Sequence, residues 1–367
     1  MWAPSSGWWP EGGSVVPESQ VVVQRGGQSW DLSEAVTGLS WSASTNGRIV
    51  SGQLDMTVAD PDGSLRQSGG PLWTAGQTVW ARVRFDGSAW CPLPPARLSD
   101  AGGDQVRWVT RRRVPMGQHD AADVTGDDLT ALIERGSWSG LLGPAGLSMV
   151  DETVRLLAAA GVGLPVAMAW WDPSMQSRLV RATATYDTNP LSALSDLWAL
   201  MGAAVWVNRD GQVEPRPLDP VTDPWPIRVD EIFELALDGS AEPRNRVVVT
   251  GSDEANNPIQ GMAEVKTGLW AVDGPFGVNT RREQMSIGKD VATLTRAAET
   301  YLWQEIGSMT RTLTASVHPA VGLRLDVLDP VVITDPDRKR WAGQVIGLDH
   351  QLGGPSTATI RVPEEAR

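Results

Sequence analysis

The stretch Gln53-Leu-Asp-Met-Thr-Val-Ala-Asp-Pro-Asp-Gly63 indicates the class of fold. Its apolar residues stand at every second position from Leu54 to Val58, which is the period of a strand buried on one face. The four residues Asp60–Gly63 then predict a tight turn, because Pro61 presets φ and glycine tolerates a positive φ. The stretch therefore predicts a half-buried strand and the turn that ends it.

Residues 21–115 repeat this pattern and predict a first β-domain, either a barrel or a sandwich. A short β-branched run stands at Val21–Val23, and alternation returns at Val79–Phe85 and at Val106–Thr110. Asp86-Gly87 directly follows the second of these strands, which is typical of a hairpin.

Residues 116–178 predict a connecting region of helix and loop. Ser148 or Asp151 caps a helix there, and Gly161 stops it. The segment from Gly136 to Gly146 has the composition of a loop.

Residues 179–243 predict a small α/β module. Leu179–Tyr186 has the pattern of a strand, and Thr188 or Asn189 then caps a helix that has Pro190 in its first turn. Gly202 ends this helix. The module closes with a predicted hairpin whose parts are Ala203–Val207, the turn Asn208–Gly211, and Gln212–Arg216.

Residues 244–367 predict a second β-domain that contains one helix, from about Asp290 to Glu305. The predicted strands share a two-residue period or a β-branched run. They are Arg246–Thr250, Leu313–Val317, Leu323–Val327, Val331–Ile333, Trp341–Leu348 and Ala358–Val362. The fold class is therefore α+β, mainly β.

Charge and composition exclude several classes of function. The 367 residues include 31 basic and 44 acidic ones, a net charge of −13, which argues against a protein that grips nucleic acid through its phosphates. The longest uncharged run, Leu156–Trp171, is shorter than the roughly 20 residues of a spanning helix, and Met1–Gly13 lacks the features of a secretory signal. Cys91 is the single cysteine, so no internal disulfide is possible. We expect a soluble chain that matures in a reducing compartment or has no use for disulfides.

No motif predicts a catalytic, cofactor-binding or metal site. The three histidines, His119, His318 and His350, are not spaced for one helix face and have no cysteine partner. Asp60–Gly63 lacks the alternating ligands of a calcium loop, Gly136-Ser-Trp-Ser-Gly140 lacks a central serine, and Gly161-Val-Gly163 lacks a third glycine. We expect no enzyme and no cofactor. Carboxylate pairs for glycoside cleavage stay open, because 44 acidic residues are candidates.

Tryptophan is the remaining lead, since 18 residues outnumber Phe (3) and Tyr (2). The tryptophan side chains could stack on sugar rings, form subunit interfaces or belong to the core. They include Trp73, Trp80, Trp90, Trp8-Trp9 and Trp170-Trp171.

The arm at residues 1–20 either docks on another chain or folds back on its own subunit. The run Arg111–Arg113 either clamps a neighbour's carboxylate or is a solvated strand end.

Three stretches together resemble the hub proteins of phage tails, also called baseplate hub or tail-tip hub proteins. They are Leu54–Leu65 with Gly76–Phe85, Asn189–Gly202 running into Val205–Val213, and Leu325–Asp335 with Trp341–Asp349. The spike proteins of contractile secretion machines share this architecture in their first part. The resemblance spans most of residues 21–362.

The resemblance implies two tube-like β-barrel domains, at residues 21–115 and 244–367, with the small α/β insert between them. It implies a homotrimeric ring that adapts a six-fold tail tube to a three-fold tip and lines the DNA exit channel. The implied partners are further copies of the chain, the tail tube or distal tail protein, the tape measure protein, and tip or fibre proteins. DNA passes only in transit, and no stable membrane insertion is implied.

The implied location is the tail tip of the virion, after synthesis in the host cytoplasm. Because the chain ends at Arg367, shortly after the last predicted strand, we expect no lysozyme-like or spike extension. Two alternatives stay open: a protein that binds or degrades polysaccharide, and another tail component such as a distal tail or receptor-binding protein.

Overall fold

The protein is mainly β in the computed structural model, which describes most of the chain. The described residues are 17–60, 64–66, 70–72, 77–85, 90–93, 96–98, 107–109, 121–138, 143, 147–167, 180–182, 185–186, 189–218, 223–238, 244–268, 270–306, 311–335 and 337–362. Within them the predicted α+β class with a majority of strands is confirmed.

Strands occur along the whole described chain. They are β1 Pro17–Arg25, β2 Gln28–Asp31, β3 Val36–Thr45, β4 Val50–Ala59, β5 Thr78–Phe85, β6 Cys91–Pro92, β7 Ala96–Leu98, β8 Arg107–Val109, β9 Ala121–Asp128, β10 Ala203–Val207, β11 Val213–Pro217, β12 Trp225–Ile227, β13 Ile232–Asp238, β14 Arg246–Ser252, β15 Pro258–Glu264, β16 Thr280–Gln284, β17 Arg311–Val317, β18 Pro330–Thr334, β19 Arg340–Gln351 and β20 Ser356–Val362.

Helices are fewer and shorter. They are α1 Thr130–Arg135, α2 Met149–Ala159, α3 Pro190–Ala199, α4 Val291–Ile306 and α5 Pro319–Gly322, with 3₁₀ turns at Ser64–Arg66 and Val229–Glu231.

One long sheet unites strands from both ends of the chain. Its path runs β13-β17-β20-β19-β3-β4-β9-β7-β5-β1-β2, with four further strands paired beside it. The decisive step is the antiparallel pairing of β19 with β3, which places Asp349 opposite Ser42 and His350 opposite Trp41. Strands from the predicted first and second β-domains therefore belong to a single sheet, and over the described residues its path is open, ending at β13 and β2.

Two hydrophobic cores stabilise this arrangement. The first lies under the long sheet and combines N-terminal residues such as Val23 and Leu54 with C-terminal ones such as Val317 and Ile360, all buried. The second lies among the helices and contains Trp198, Leu194 and Leu294. The first core joins segments more than 300 residues apart, so the two ends of the chain fold against each other.

The α/β module begins its helix as predicted. Asn189 caps α3, with its Oδ1 accepting the backbone N–H of Ser192 at 3.0 Å, and Pro190 occupies the first turn. Gly202, with φ of +73°, follows the helix and adopts the left-handed conformation that ends it. The hairpin of β10 and β11 follows directly. In the same way Ser148 caps α2, accepting from Asp151 N at 3.2 Å.

The strand predicted at Leu179–Tyr186 is wrong for the part of it that the structure describes. Residues 180–182 and 185 have no strand assignment, and Tyr186 forms only an isolated bridge. The backbone of Val180 donates to Leu147, whereas the Arg181 side chain bonds Ser286 and Asn256. Val180, Arg181 and Tyr186 are buried against several different elements, so they do not require a sheet partner.

The strand predicted at Leu323–Val327 is also wrong. Leu323, Leu325 and Val327 are buried as a strand period requires, but the segment after α5 consists of turns and irregular backbone. Arginine side chains of the neighbouring module take the place of a partner strand, as described below.

A three-stranded sheet of order β15-β14-β16 packs against α4. Strand β15 and helix α4 approach each other closely at Gly261, where a Cβ atom would stand 2.1 Å from the backbone of Leu294. The helix predicted at Asp290–Glu305 is confirmed, with Asp290 Oδ1 accepting from Thr293 N at 2.8 Å. Among the described residues no helix combines the length and apolarity needed to cross a membrane.

Candidate functional site

The two faces of the long sheet differ in chemistry because apolar and polar residues alternate along its strands. On β3, Leu39, Trp41 and Ala43 are buried in the first core. The residues between them, Ser40 and Ser42, lie on the opposite face, and register extends that face across six strands.

We call this opposite surface the hydroxyl face. The buried Arg361 of β20 lies on this face, opposite Thr312. The other side chains that define the face are hydroxyls, carboxylates and amides, and all of these are half-buried or exposed. They are Thr312, Thr314 and Ser316 on β17; Thr357 and Thr359 on β20; Asp349 and Gln351 on β19; Ser40, Ser42 and Ser44 on β3; Ser51, Gln53, Asp55 and Thr57 on β4; and Asp123, Thr125 and Asp127 on β9. The surface is polar and acidic, with no large apolar side chain in this set.

A groove of about 850 Å³ runs over the middle of the hydroxyl face. Its floor includes Ser42, Asp349 and Thr359, and its wall includes Glu134 of α1. Cationic groups near it are held by partners: Arg135 pairs with Asp127 at 2.9 Å, and the buried Arg361 donates to the Trp303 carbonyl at 2.9 Å. The groove therefore presents hydroxyls and carboxylates to the solvent.

Neighbouring aspartates at the end of β9 occupy opposite faces. Asp127 lies on the hydroxyl face, whereas Asp128 is buried and accepts from Thr130 N at 3.0 Å. Burial raises the pKa of Asp128 to about 7, even though hydrogen bonds from Thr130 and Gly52 act in the opposite direction. A single residue step therefore separates a surface carboxylate from one that titrates near neutrality.

Two half-buried arginines of the β10–β11 hairpin, Arg209 and Arg216, hold the segment Leu323–Asp329. Arg209 Nε donates to Asp326 Oδ1 at 2.9 Å, and its Nη atoms donate to the carbonyls of Leu323 (2.8 Å) and Leu325 (2.9 Å). Arg216 pairs with Asp329, and its Nε lies 3.3 Å from the Val327 carbonyl. These three carbonyls are alternate ones, so the arginines satisfy the groups that a neighbouring strand would otherwise bind.

The same Arg209 also reaches the N-terminal half of the chain. Its Nη1 lies 3.1 Å from Cys91 Sγ and 3.1 Å from the Pro92 carbonyl. Burial alone would raise the pKa of Asp326, but the charges of Arg209 and Arg216 hold it below its ordinary value. This cluster ties three parts of the chain together, and sequence reasoning missed it, because Arg209 and Asp326 are 117 residues apart.

The described histidines lie apart and form no common site. His350 is buried, stacks on Trp41 with centroids 5.2 Å apart, and bonds Ser356 through Nδ1 at 2.8 Å. Burial, with the nearby charge of Arg209, lowers the pKa of His350 to about 3. His318 begins α5, with Nδ1 accepting from Ala320 N at 3.3 Å, and partial burial lowers its pKa.

Cys91 is a buried thiol whose pKa is raised, mainly by burial. Trp80 and Trp90 lie at the far end of the long sheet beside arginines. The Asp60–Gly63 turn is described only at Asp60, which is buried and accepts from Leu65 N at 3.2 Å.

Several predicted features lie outside the described residues. They are residues 1–16 of the arm with Trp8-Trp9, and further Trp73, Asp86-Gly87, Arg111–Arg113, His119 and Trp170-Trp171. Among the residues that are described, no group of three or more His, Cys, Asp or Glu side chains is placed to hold a metal ion.

Comparison with known proteins identifies the fold. No family model and no curated protein sequence matches the chain. Solved structures do match over nearly the whole length. A tail protein from Neisseria meningitidis MC58 aligns with a TM-score of 0.59 and 16% identity, covering 95% of this chain and 97% of that chain. The 43 kDa tail protein of prophage MuSo2 from Shewanella oneidensis aligns with a TM-score of 0.58 and 12% identity, over 94% and 98% of the two chains.

A chain of the Francisella PdpA–VgrG complex aligns with a TM-score of 0.50 and 9% identity, over 98% of this chain and 61% of that chain. The fold of this chain is thus similar to that of tail proteins and of a chain of the PdpA–VgrG complex. The predicted resemblance to phage tail hub proteins is confirmed at the level of the fold, and this chain has the fold of that group of tail proteins.

Proposed function

We propose that the chain is a structural subunit of a phage tail, placed at the hub of the tail tip. Three copies form a ring that adapts the six-fold tail tube to the three-fold tip, and the ring lines the channel through which DNA leaves. The near full-length similarity in fold to tail proteins, among them one of prophage MuSo2, supports this role. The ring has no catalytic role in this proposal.

The hydroxyl face is the observation that carries the proposal. DNA bears closely spaced phosphates, so a wall rich in arginine or lysine would hold it. The hydroxyl face instead combines small hydroxyls with carboxylates such as Asp55, Asp123 and Asp349, and it spans six adjacent strands. Such a surface hydrates readily and repels phosphate, so a polyanion passes along it without being bound. We infer that this face lines the channel.

The architecture proposed for each subunit follows the predicted boundaries. Two tube-like β-barrel domains, at residues 21–115 and 244–367, stand side by side, with the connecting region 116–178 and the α/β module 179–243 between them. The pairing of β3 with β19 supports this arrangement, because it continues one polar surface from the first β-domain into the second. Three copies then present six similar bodies around the axis.

The proposed partners follow from this position. The tail tube or distal tail protein stands on the six-fold side, tip or fibre proteins on the three-fold side, and the tape measure protein and DNA occupy the channel. Residues 17–20 of the predicted arm belong to β1 and pair with β5 of the same chain. Only residues 1–16 are therefore proposed to dock on one of these neighbours. The protein is made in the host cytoplasm and assembled into the virion, without stable membrane insertion.

Imaging of the assembled particle by electron cryo-microscopy, with the chain labelled, tests the proposal. We expect three copies around the tail axis at the tip, with Ser42 and Asp349 facing the channel. Placement away from the axis, or a hydroxyl face directed to the outside, would contradict it. Native mass spectrometry of the purified protein is the companion measurement, with a trimer expected.

A further inference from the structure

A patch of tryptophan and arginine lies at the far end of the long sheet. Register carries the hydroxyl face from Asp127 through β7 to β5, where Trp80, Arg82 and Arg84 stand on the same face. The Trp90 ring contacts both guanidinium groups, with its centroid 4.9 Å from Arg82 Cζ and 4.6 Å from Arg84 Cζ. We call these four residues the Trp–Arg patch.

The patch is held in place by β1. Trp80 Nε1 donates to Gln24 at 3.0 Å, Arg82 Nε donates to Gln20, and Arg84 Nε donates to Glu18 at 2.9 Å. Side chains that are already ordered lose little conformational freedom when they bind. Tryptophan and arginine are also the residues that contribute most often to protein interfaces. The patch is therefore prepared for a protein partner.

Arg82 defines the charge that the partner must carry. It is exposed and donates to Gln20, and its charge adds to the hydrogen bonds from Ser33 that lower the pKa of Asp31. No carboxylate within the described residues lies within 4.0 Å of Arg82, whereas Arg84 already pairs with Glu18. A partner that places a carboxylate and an apolar side chain side by side would satisfy both Arg82 and the neighbouring indole rings.

The opposite end of the same sheet offers such a segment. Residues 229–238, here called the acidic segment, read Val-Asp-Glu-Ile-Phe-Glu-Leu-Ala-Leu-Asp and contain no basic residue. They include β13, the terminal strand of the sheet path. A register shift between Ile232 and Glu234 turns Phe233 outward, where it is 65% exposed, and Glu234 is exposed beside it. The segment thus displays a carboxylate next to an aromatic ring.

We propose that the Trp–Arg patch of one copy binds the acidic segment of a neighbouring copy, with Glu234 paired to Arg82 and Phe233 packed against Trp80. The two surfaces lie at opposite ends of one sheet, so the contact is head-to-tail, and repeating it closes a ring when the rotation permits. The inference rests on the proposed ring and names the contact that forms it.

Charge exchange tests the contact directly. In Arg82→Glu and in Glu234→Arg, like charges face each other, and we expect each variant to weaken trimer formation at least about tenfold. The double variant R82E/E234R restores the opposite charges and should recover most of the assembly. Arg282→Glu, which alters an exposed arginine on β16, is the matched control and should assemble as the native chain does. Circular dichroism and thermal melting verify that each variant folds.

Sedimentation over a range of concentrations and native mass spectrometry supply the readout. If the native chain forms trimers and Arg82→Glu forms them equally well, or if the double variant is no better than the single ones, the contact is wrong while the ring stands. If the native chain stays monomeric at every concentration and in isolated tails, the ring and the contact both fall.

Discussion

The two faces of the long sheet use the same strands and differ in every property that follows from solvent contact. On the core face, Leu54 of β4 is 2% exposed, whereas its neighbour Gln53 on the hydroxyl face is exposed to solvent. The same single-residue step separates Asp127 from Asp128 and Asp349 from His350. The comparison teaches that one face determines stability, while the other determines what the surface can meet.

The largest difference in the free energy of unfolding is expected between the variants Leu54→Ala and Gln53→Ala. Removing the buried side chain leaves a cavity in the first core and should lower the free energy of unfolding by about 3 kcal/mol. The change at Gln53 should alter it by less than about 0.5 kcal/mol. Urea denaturation followed by tryptophan fluorescence measures both, and equal losses would break the comparison.

The pH dependence of stability tests the same comparison at the buried His350 and its surface neighbour Asp349. The folded-state pKa of His350, about 3, lies below the ordinary value of 6.5, so the unfolded chain binds a proton that the folded chain refuses. Its contribution to stability is complete above pH 6.5 and is lost as the pH falls from 6.5 toward 3. Native protein should lose about 2.5 kcal/mol from this residue between pH 7 and pH 4.5. His350→Gln should lack that loss, whereas Asp349→Asn should keep it; identical pH profiles for native protein and His350→Gln would contradict the argument.

At Asp128, and not at its neighbour Asp127, stability depends on pH with the opposite sign and by a smaller amount. The folded-state pKa of Asp128, about 7, lies above the ordinary value of 3.8, so the folded chain retains a proton that the unfolded chain has released. Stability therefore falls as the pH rises toward 7. Between pH 6 and pH 8 native protein should lose about 1.5 kcal/mol that Asp128→Asn does not lose. Asp127→Asn serves as the surface control, and thermal melting in matched buffers reports the three profiles.

The smallest effect on stability is expected on the hydroxyl face, where Asp55→Lys and Asp349→Lys should each change the free energy of unfolding by less than about 0.5 kcal/mol. In the proposed channel the added positive charges hold phosphates, so DNA release from particles that carry both substitutions should slow. A dye that reports released DNA measures the rate. Unchanged release with normal assembly would place the channel elsewhere.

Local patterns were sufficient for much of the fold. Alternation at Leu54–Val58 and Val79–Phe85 predicted strands that are present, and cap residues at Ser148 and Asn189 predicted where helices begin. These features depend on residues near each other in the chain, where side-chain period and capping hydrogen bonds act directly.

The errors have a common physical cause. Leu323–Val327 carries the period of a strand, but its carbonyls bind Arg209 and Arg216 rather than another strand. Val180 and Tyr186 are buried, but their neighbours come from several elements. Alternation reports only that one side of a segment is buried, and it does not identify the partner that satisfies the backbone.

The sequence by itself determined the class of the fold, the alternation of apolar and polar side chains along each strand, and the absence of an excess of basic charge. These properties follow from residue types and their local spacing. Only the tertiary structure decided that β3 pairs with β19, that polar side chains from six strands form one surface, and that an exposed Arg82 and an exposed Glu234 stand at opposite ends of it. Each of these depends on contacts between residues far apart in the chain, and register across strands leaves no local mark in the sequence.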